Sequence, residues 1–113
     1  MHDQPDWSHM PSWSEQNIGD FNRKFVSLTD DVLFADVWER PGLSKRDRSL
    51  VTVATLVALY RTEQLAGHTQ WDIDNGVTVD ELTEAITHLA FYAGWPNAMT
   101  AILAAKELFG ADL

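Results

Sequence analysis

The sequence predicts an all-α domain of about five or six helices. In almost every segment between glycine and proline positions, apolar residues recur at the 3.6-residue spacing of a helix. No stretch alternates convincingly at period two, as a half-buried strand would. Helix-capping residues and left-handed stop signals recur along the chain. These three features together favour helices from one end of the domain to the other.

Length and composition predict a single globular domain. The 113 residues are 45% hydrophobic and 22% charged, which is enough to bury a core. We expect residues 14–113 to form the helical domain and residues 1–13 an extended tail. The tail carries Trp7 and Trp13, large apolar groups that gain by docking on the domain or on a neighbouring subunit. A disordered leader is the alternative.

The composition also excludes several classes of function. The chain has no cysteine, which excludes disulfides, thiolate nucleophiles, cysteine–zinc sites and thiol redox chemistry. A net charge of -9 argues against nucleic acid and anionic membranes as partners. The acidic N-terminus lacks the features of a signal peptide, and no apolar run reaches the ~18 residues of a membrane span. We therefore expect a cytoplasmic protein.

The first half of the chain predicts two weak helices and one strong one. The weak helices are expected at about residues 15–27 and 30–39, before Pro41-Gly42. The strong helix starts at the N-cap candidate Ser44 and continues to Leu59. Its valines and threonines would also suit a buried strand, but its length, its cap and its helical neighbours favour a helix. Because it is apolar nearly all round, it should lie at the centre of the fold or at a subunit contact.

Three further helices are expected in the second half, the first over about residues 63–74. A capping box opens the second, whose apolar stripe reaches Ala93. The third runs to near the C-terminus, with a proline in its first turn. The boundary signals are Asn75-Gly76, Thr78 with Glu81, Gly94, Pro96 and Gly110.

Half of the eight basic residues lie around the start of the strong helix: Arg40, Lys45, Arg46 and Arg48. Cations are unfavourable in the first turn, because the helix dipole is positive there. One interpretation is an anion site, in which guanidinium groups and backbone N–H groups hold a carboxylate or phosphate. The other is that these side chains pair with acids of the same chain or of a neighbouring subunit.

Two of the four histidines, His68 and His88, lie on helices that should pack into the core. A histidine beside a carboxylate is suited to proton transfer near neutral pH. A partly buried histidine with a purely structural hydrogen bond is the alternative for each. A metal site is not expected, since no short ligand spacing such as His-x-x-x-His occurs. The neighbours at helical spacing are Trp71 and Asp72 for His68, and Glu84 and Tyr92 for His88.

Four segments, in order and correctly spaced, resemble the carboxymuconolactone decarboxylase family of the alkylhydroperoxidase-D-like superfamily. The resemblance implies a small all-α subunit that assembles into a homo-oligomeric ring, commonly a hexamer or trimer, with pockets near subunit contacts. The segments are VWERPGL (37–43), RSLVTVATLVAL (48–59), NGVT (75–78) with Glu81 and Glu84, and HLAFYAGWPNA (88–98).

The superfamily has a redox branch whose chemistry this chain cannot perform. That branch uses a Cys-x-x-Cys pair, a histidine four residues beyond it and an upstream glutamate. The cysteine positions fall on Arg61 and Gln64, and the glutamate position falls near Ser49. Only the histidine, His68, is retained. A thiol peroxidase or disulfide reductase is therefore excluded.

The decarboxylase branch implies a cofactor-independent lyase that acts on a small carboxylated lactone in aromatic catabolism. Such a site holds a carboxylate in apolar surroundings, stabilises an oxyanion and delivers one proton. The resemblance and the residue chemistry together indicate His68 and His88 as catalytic residues. Candidates for substrate binding are Arg40, Arg46, Arg48, Arg61, Trp71, Tyr92 and Trp95.

Two residues depart from the family pattern. Glu39 and Trp95 stand where smaller residues are usual, and a bulky Trp95 could reshape or close the pocket. A relative that acts on a different small acid therefore remains an alternative, as does a non-catalytic ring-forming binding protein.

Overall fold

The computed structural model describes residues 12–110, and all regular structure within that range is helical. The all-α prediction is confirmed there, while the predicted tail lies outside the described residues except for Ser12 and Trp13. No helix in this range is long and apolar enough to cross a membrane. The α-helices are α1 (Trp13–Ile18), α2 (Arg23–Ser27), α3 (Lys45–Ala58), α4 (Thr62–Asp74), α5 (Val79–Leu89) and α6 (Trp95–Phe109). A π-helical segment (Leu28–Phe34) and a 3-10 turn (Val37–Glu39) lie between α2 and α3.

Packing divides the described chain into two compact units, residues 12–44 and 45–110. In the first unit, Ser12 caps α1 by accepting a hydrogen bond from the Glu15 amide at 3.0 Å. The hydroxyls of Ser12 and Ser14 also donate to the Asp30 carboxylate at 2.7 and 2.8 Å. These bonds fasten the π-helical segment to α1.

The ranges predicted for the two weak helices of the first unit are wrong. The helix expected over 15–27 is two short helices, because Asn22 accepts a hydrogen bond from the Phe25 amide at 2.9 Å and starts α2 afresh. A side chain that caps in this way competes with a continuous helix. The helix expected over 30–39 is the π-helical segment followed by the 3-10 turn.

The second unit holds the larger core, to which α3, α4, α5 and α6 all contribute. The sequence predicts helix α3 at the centre of the fold or at a subunit contact. Val53 and Val57 are buried in the core, whereas Val51 is 57% exposed, so a subunit contact on the outer face of α3 stays a prediction. One face of α3 therefore enters the core, at a spacing of four residues. The apolar core residues are Val53, Val57, Leu65, Val77, Leu82, Ile86, Ala98, Ala101 and Phe109.

The predicted signals between α4 and α5 are confirmed. Gly76 has a φ of 104°, and its amide donates to the Ile73 carbonyl at 2.9 Å, which ends α4 with a left-handed turn. Thr78 and Glu81 then form a complete capping box, with both bonds at 3.0 Å. Local hydrogen bonds thus determine where α4 ends and where α5 begins.

Helix α5 ends at Leu89, earlier than the predicted end beyond Ala93. The following residues form tight turns, in which the Phe91 amide donates to the His88 carbonyl three residues back at 3.2 Å. Gly94, which we expected to end α5, instead precedes α6 with a φ of 102°.

The connection from α3 to α4 places a tyrosine in the left-handed region. Tyr60 has a φ of 58°, and its amide donates to the Val57 carbonyl at 3.1 Å. The Asn97 amide group donates to the carbonyls of Val57 and Ala58, both at 3.2 Å. Left-handed geometry costs a residue with a side chain roughly 1–2 kcal/mol, which these bonds offset.

We predict that Tyr60→Gly raises the free energy of unfolding by about 1 kcal/mol, because glycine adopts this φ without steric cost. Tyr60→Ala is the matched control, since it removes the half-exposed ring but keeps the strain. Chemical denaturation with both variants measures the difference. Equal stability of the glycine and alanine variants would contradict the prediction.

Candidate active site

His68 lies on α4, at the edge of the face that the helix buries. The buried residues Leu65, Thr69 and Asp72 define that face, and His68 beside them is half-buried. Its Nδ1 atom is enclosed and has no hydrogen-bond partner among the described residues. Its ring packs on Trp71, with centroids 5.2 Å apart. Burial lowers the pKa of His68, so the imidazole is neutral at neutral pH.

One helical turn beyond His68, Asp72 is completely buried. Neither of its carboxyl oxygens has a hydrogen-bond partner of normal geometry among the described residues. Burial raises the pKa of Asp72 to about 7, and the nearby Ser49 hydroxyl partly opposes that shift. Much of the Asp72 population is therefore a neutral carboxylic acid near pH 7.

The Ser49 hydroxyl, on α3, faces this part of α4 from the opposite helix. Ser49 is fully buried, and its Oγ accepts a hydrogen bond from Asn75 Nδ2 at 3.0 Å. We call Ser49, His68, Asp72 and Asn75 the α3–α4 polar cluster, of which Ser49 and Asp72 are fully buried and His68 and Asn75 half-buried. Of these four residues, the sequence predicted only His68 as a site residue, with Asp72 as its neighbour at helical spacing. The spacing of Asp72 from Leu65 and Thr69 could have shown that its carboxyl lies on the buried face of α4.

Other predicted site residues lie in a groove between α3 and α5. The groove has a volume of about 440 Å³, and its lining includes Arg46, Glu81, Glu84 and His88. His88 is exposed and stacks on Tyr92, with ring centroids 4.9 Å apart.

Arg46 is paired with carboxylates of its own chain. It forms ion pairs with Glu81 and, at 3.1 Å, with Asp47. The hydrogen bond from the Thr78 amide and the contact with Arg46 together hold the pKa of Glu81 below its usual value. For Arg46, the acid-pairing interpretation of the basic cluster is the one observed.

The remaining predicted residues are dispersed over the described chain. Trp95 lines an apolar groove of about 280 Å³ along α5 and α6 and is 63% exposed. Arg61 is exposed and immediately precedes α4, Arg48 on α3 is half-buried, and Arg40 belongs to the first unit. Within residues 12–110, no group of three or more histidine, aspartate or glutamate side chains could hold a metal ion. Of the predicted site residues, His68 thus belongs to the α3–α4 polar cluster, Arg46 and His88 line one groove and Trp95 lines the other. Arg40, Arg48 and Arg61 belong to none of these three places.

Burial of Asp72 predicts how stability depends on pH. Its folded-state pKa of about 7 lies above its ordinary value of 3.8, so its stabilising contribution is complete below pH 3.8 and is lost as pH rises through 7. Asp72→Asn cannot ionise. We expect it to be more stable than the wild type at pH 8.5 by on the order of 2 kcal/mol, with little difference at pH 4.

Denaturation at both pH values measures this difference. Asp74→Asn is the control, because Asp74 lies on the same helix, is not fully buried and accepts a hydrogen bond from Gln70 at 3.2 Å. The same pH dependence in the wild type and Asp72→Asn would contradict the assignment of the shift to Asp72.

Comparison with known proteins agrees with the resemblance seen in the sequence. Residues 23–107 match the Carboxymuconolactone decarboxylase family. A 4-carboxymuconolactone decarboxylase of Acinetobacter baylyi is 44% identical over 96 residues, which cover 85% of this chain and 72% of that protein. A nitrosuccinic acid decarboxylase of Metarhizium robertsii is 34% identical over 92 residues, covering 81% of this chain and 64% of that protein. On this evidence the chain belongs to the carboxymuconolactone decarboxylase family.

Proposed function

We propose that this chain is a cofactor-independent decarboxylase of small carboxylated compounds, with 4-carboxymuconolactone as its first candidate substrate. The observation that carries the proposal is the likeness, over most of the chain, to the Acinetobacter enzyme of that name. A role in aromatic catabolism and a cytoplasmic location belong to the same proposal.

The reaction sets three requirements. When the carbon–carbon bond to the carboxylate breaks, carbon dioxide leaves and an electron pair remains on the organic fragment. That charge must spread onto an oxygen that the site stabilises, and one proton must then be delivered to carbon. Apolar surroundings favour the first step, because a localised carboxylate loses more from desolvation than a delocalised anion does.

His68 is the residue that we propose for proton delivery. Its ring is half-buried against Trp71, so one edge can reach a ligand while Nδ1 lies in the interior. The imidazole is neutral, which avoids a permanent ion pair with the substrate carboxylate. Trp71 supplies part of an apolar wall.

For the substrate carboxylates we propose Arg48 and Arg61 ahead of Arg46. Arg61 directly precedes the first turn of α4, where free backbone N–H groups also favour an anion. Arg48 is half-buried at the start of α3. Arg46 is already engaged by Glu81, and a ligand would have to displace that pair.

A second candidate substrate is nitrosuccinate, which the Metarhizium relative favours. It is also a small acid, and its nitro group can accept the electron pair that the departing carbon dioxide leaves. The same three requirements apply, so the same residues would serve.

We predict that the purified protein decarboxylates 4-carboxymuconolactone or nitrosuccinate, and that His68→Gln lowers kcat by about 100-fold or more. His88→Gln is the matched control and should change kcat by less than about tenfold. Carbon dioxide release and substrate absorbance measure both rates, and circular dichroism checks the fold.

Comparing the two histidine variants shows whether the reaction takes place beside His68 or in the groove between α3 and α5. Loss of activity in His88→Gln alone would move the reaction to the groove between α3 and α5. No turnover of either compound by the wild type would contradict the enzyme proposal and favour the non-catalytic binding protein.

We further propose that the chain forms a homo-oligomeric ring, a hexamer or trimer. Support comes from large apolar side chains left exposed along α6 and the turn before it, since a monomer seldom exposes so many together. These are Phe91, Tyr92, Trp95, Met99 and Leu103.

Replacing Trp95 and Met99 together by glutamate should shift the protein toward monomers, because two charges would then lie in an apolar contact. Light scattering after size exclusion measures the mass. Lys106→Glu, on the same helix but exposed and polar, should leave the mass unchanged. A wild type that is already monomeric would contradict the assembly.

A further inference from the structure

Asp72 has no role in the function proposed so far, yet it is the most enclosed acid in the second unit. Its side chain is fully buried, and its carboxyl oxygens have no hydrogen-bond partner of normal geometry among residues 12–110, although the Ser49 hydroxyl lies near them. Buried polar groups in folded proteins are almost always hydrogen-bonded. A carboxyl held in this way needs an explanation beyond packing.

On α4, the imidazole of His68 also contains a buried polar atom without a hydrogen-bond partner among the described residues. This atom is Nδ1. Residues four apart on a helix share a face, with their Cβ atoms about 6 Å apart. Rotation of the two side chains can therefore bring a carboxyl oxygen of Asp72 to Nδ1 of His68.

The helices packed against α4 bring few charges to this place. Helix α3 contributes Ser49 and, one residue earlier, Arg48, whose Nε is buried. The buried face of α6 is apolar, with Ala101 and Phe109 in the core, while its charged residues Lys106 and Glu107 are exposed. On α4 itself, Asp74 is tied to Gln70.

The shifts in pKa favour a proton on the Asp72 carboxyl and disfavour a second proton on the His68 imidazole. Burial raises the pKa of Asp72 to about 7 and lowers the pKa of His68. Near neutral pH the imidazole is therefore neutral, while much of the Asp72 population still carries its proton. A neutral imidazole is a poor acid unless its second nitrogen receives a proton as the first gives one up.

We propose that Asp72 is a positioning residue which orients His68 and replaces, through it, the proton that His68 gives to the product. The inference rests on the proposed decarboxylase function. It adds a second buried group to the site and assigns the proton's origin to the interior of the protein.

The step balances without a cofactor. The bond between carbon and the substrate carboxylate breaks, carbon dioxide leaves, and the electron pair takes a proton from Nε2 of His68. Nδ1 of His68 takes the proton of the Asp72 carboxyl. The product is protonated, His68 is neutral with its proton on Nδ1, and Asp72 is a carboxylate. A proton from solvent and reversal of the tautomer restore the site.

The test is the pH profile of kcat for the intact protein and for Asp72→Asn, with 4-carboxymuconolactone and nitrosuccinate as probes. The wild type should lose activity as pH rises through about 7, where Asp72 ionises. Asp72→Asn retains the size of the side chain but holds no transferable proton. Its kcat should fall at least tenfold with KM unchanged, and the loss near pH 7 should disappear.

Asp74→Asn is the matched control, and its kcat and pH profile should follow the wild type. Wild-type kcat and pH dependence in Asp72→Asn would overturn the inference while leaving the decarboxylase intact. Failure of the wild type to turn over either probe would instead overturn the proposed function, and this inference with it.

A measurement on the wild type covers the case in which Asp72→Asn does not fold. In the ligand-free protein, the ring resonances of His68 in a nuclear magnetic resonance titration should shift with the midpoint of Asp72. His68 resonances that show no inflection near pH 7 would overturn the pairing.

Discussion

Close packing of α3 against α4 is the constraint on which both the fold and the site depend. The two helices are joined by a turn so short that Tyr60 must adopt a left-handed conformation. At the other end of the pair, the hydrogen bond from Asn75 to Ser49 fastens the end of α4 to the start of α3. Between these two ties, Val53 of α3 and Leu65 of α4 enter the same core.

That packing explains why polar groups lie inside. A helix that buries Leu65 must also bury the residues one and two turns further on the same face, and in α4 these are Thr69 and Asp72. A threonine can satisfy its hydroxyl with the helix backbone, as Thr69 does by donating to the Ala66 carbonyl at 3.2 Å. An ionised carboxylate can only accept hydrogen bonds, so it cannot donate to a helix carbonyl as Thr69 does. Burial without enough donors instead raises the pKa of Asp72, which favours its protonated form.

The basic cluster around the start of α3 contrasts with Asp72, because Arg46 lies near the surface and is paired with acids. Arg46 lies near the surface, where water reduces the cost of charge and acids of the same chain are within reach. Its ion pair with Glu81 links the start of α3 to the start of α5, and Glu81 also completes the capping box of α5. The positive charge of Arg46, which opposes the α3 dipole, is thus compensated by a structural contact within the chain.

The sequence by itself determined the all-α class, the positions of α3 to α6, the stop at Gly76 and the capping box at Thr78, because these depend on neighbours within a few residues. Spacing and family resemblance also made His68 a candidate site residue, which stays a prediction. The sequence could not determine that 15–27 breaks at Asn22, that α5 ends at Leu89, or that Asp72 is fully buried. The break at Asn22 comes from a local side-chain cap that competes with a continuous helix. The full burial of Asp72 depends on which helices pack against α4, and only tertiary structure brings Ser49 of one helix to a carboxyl of the next.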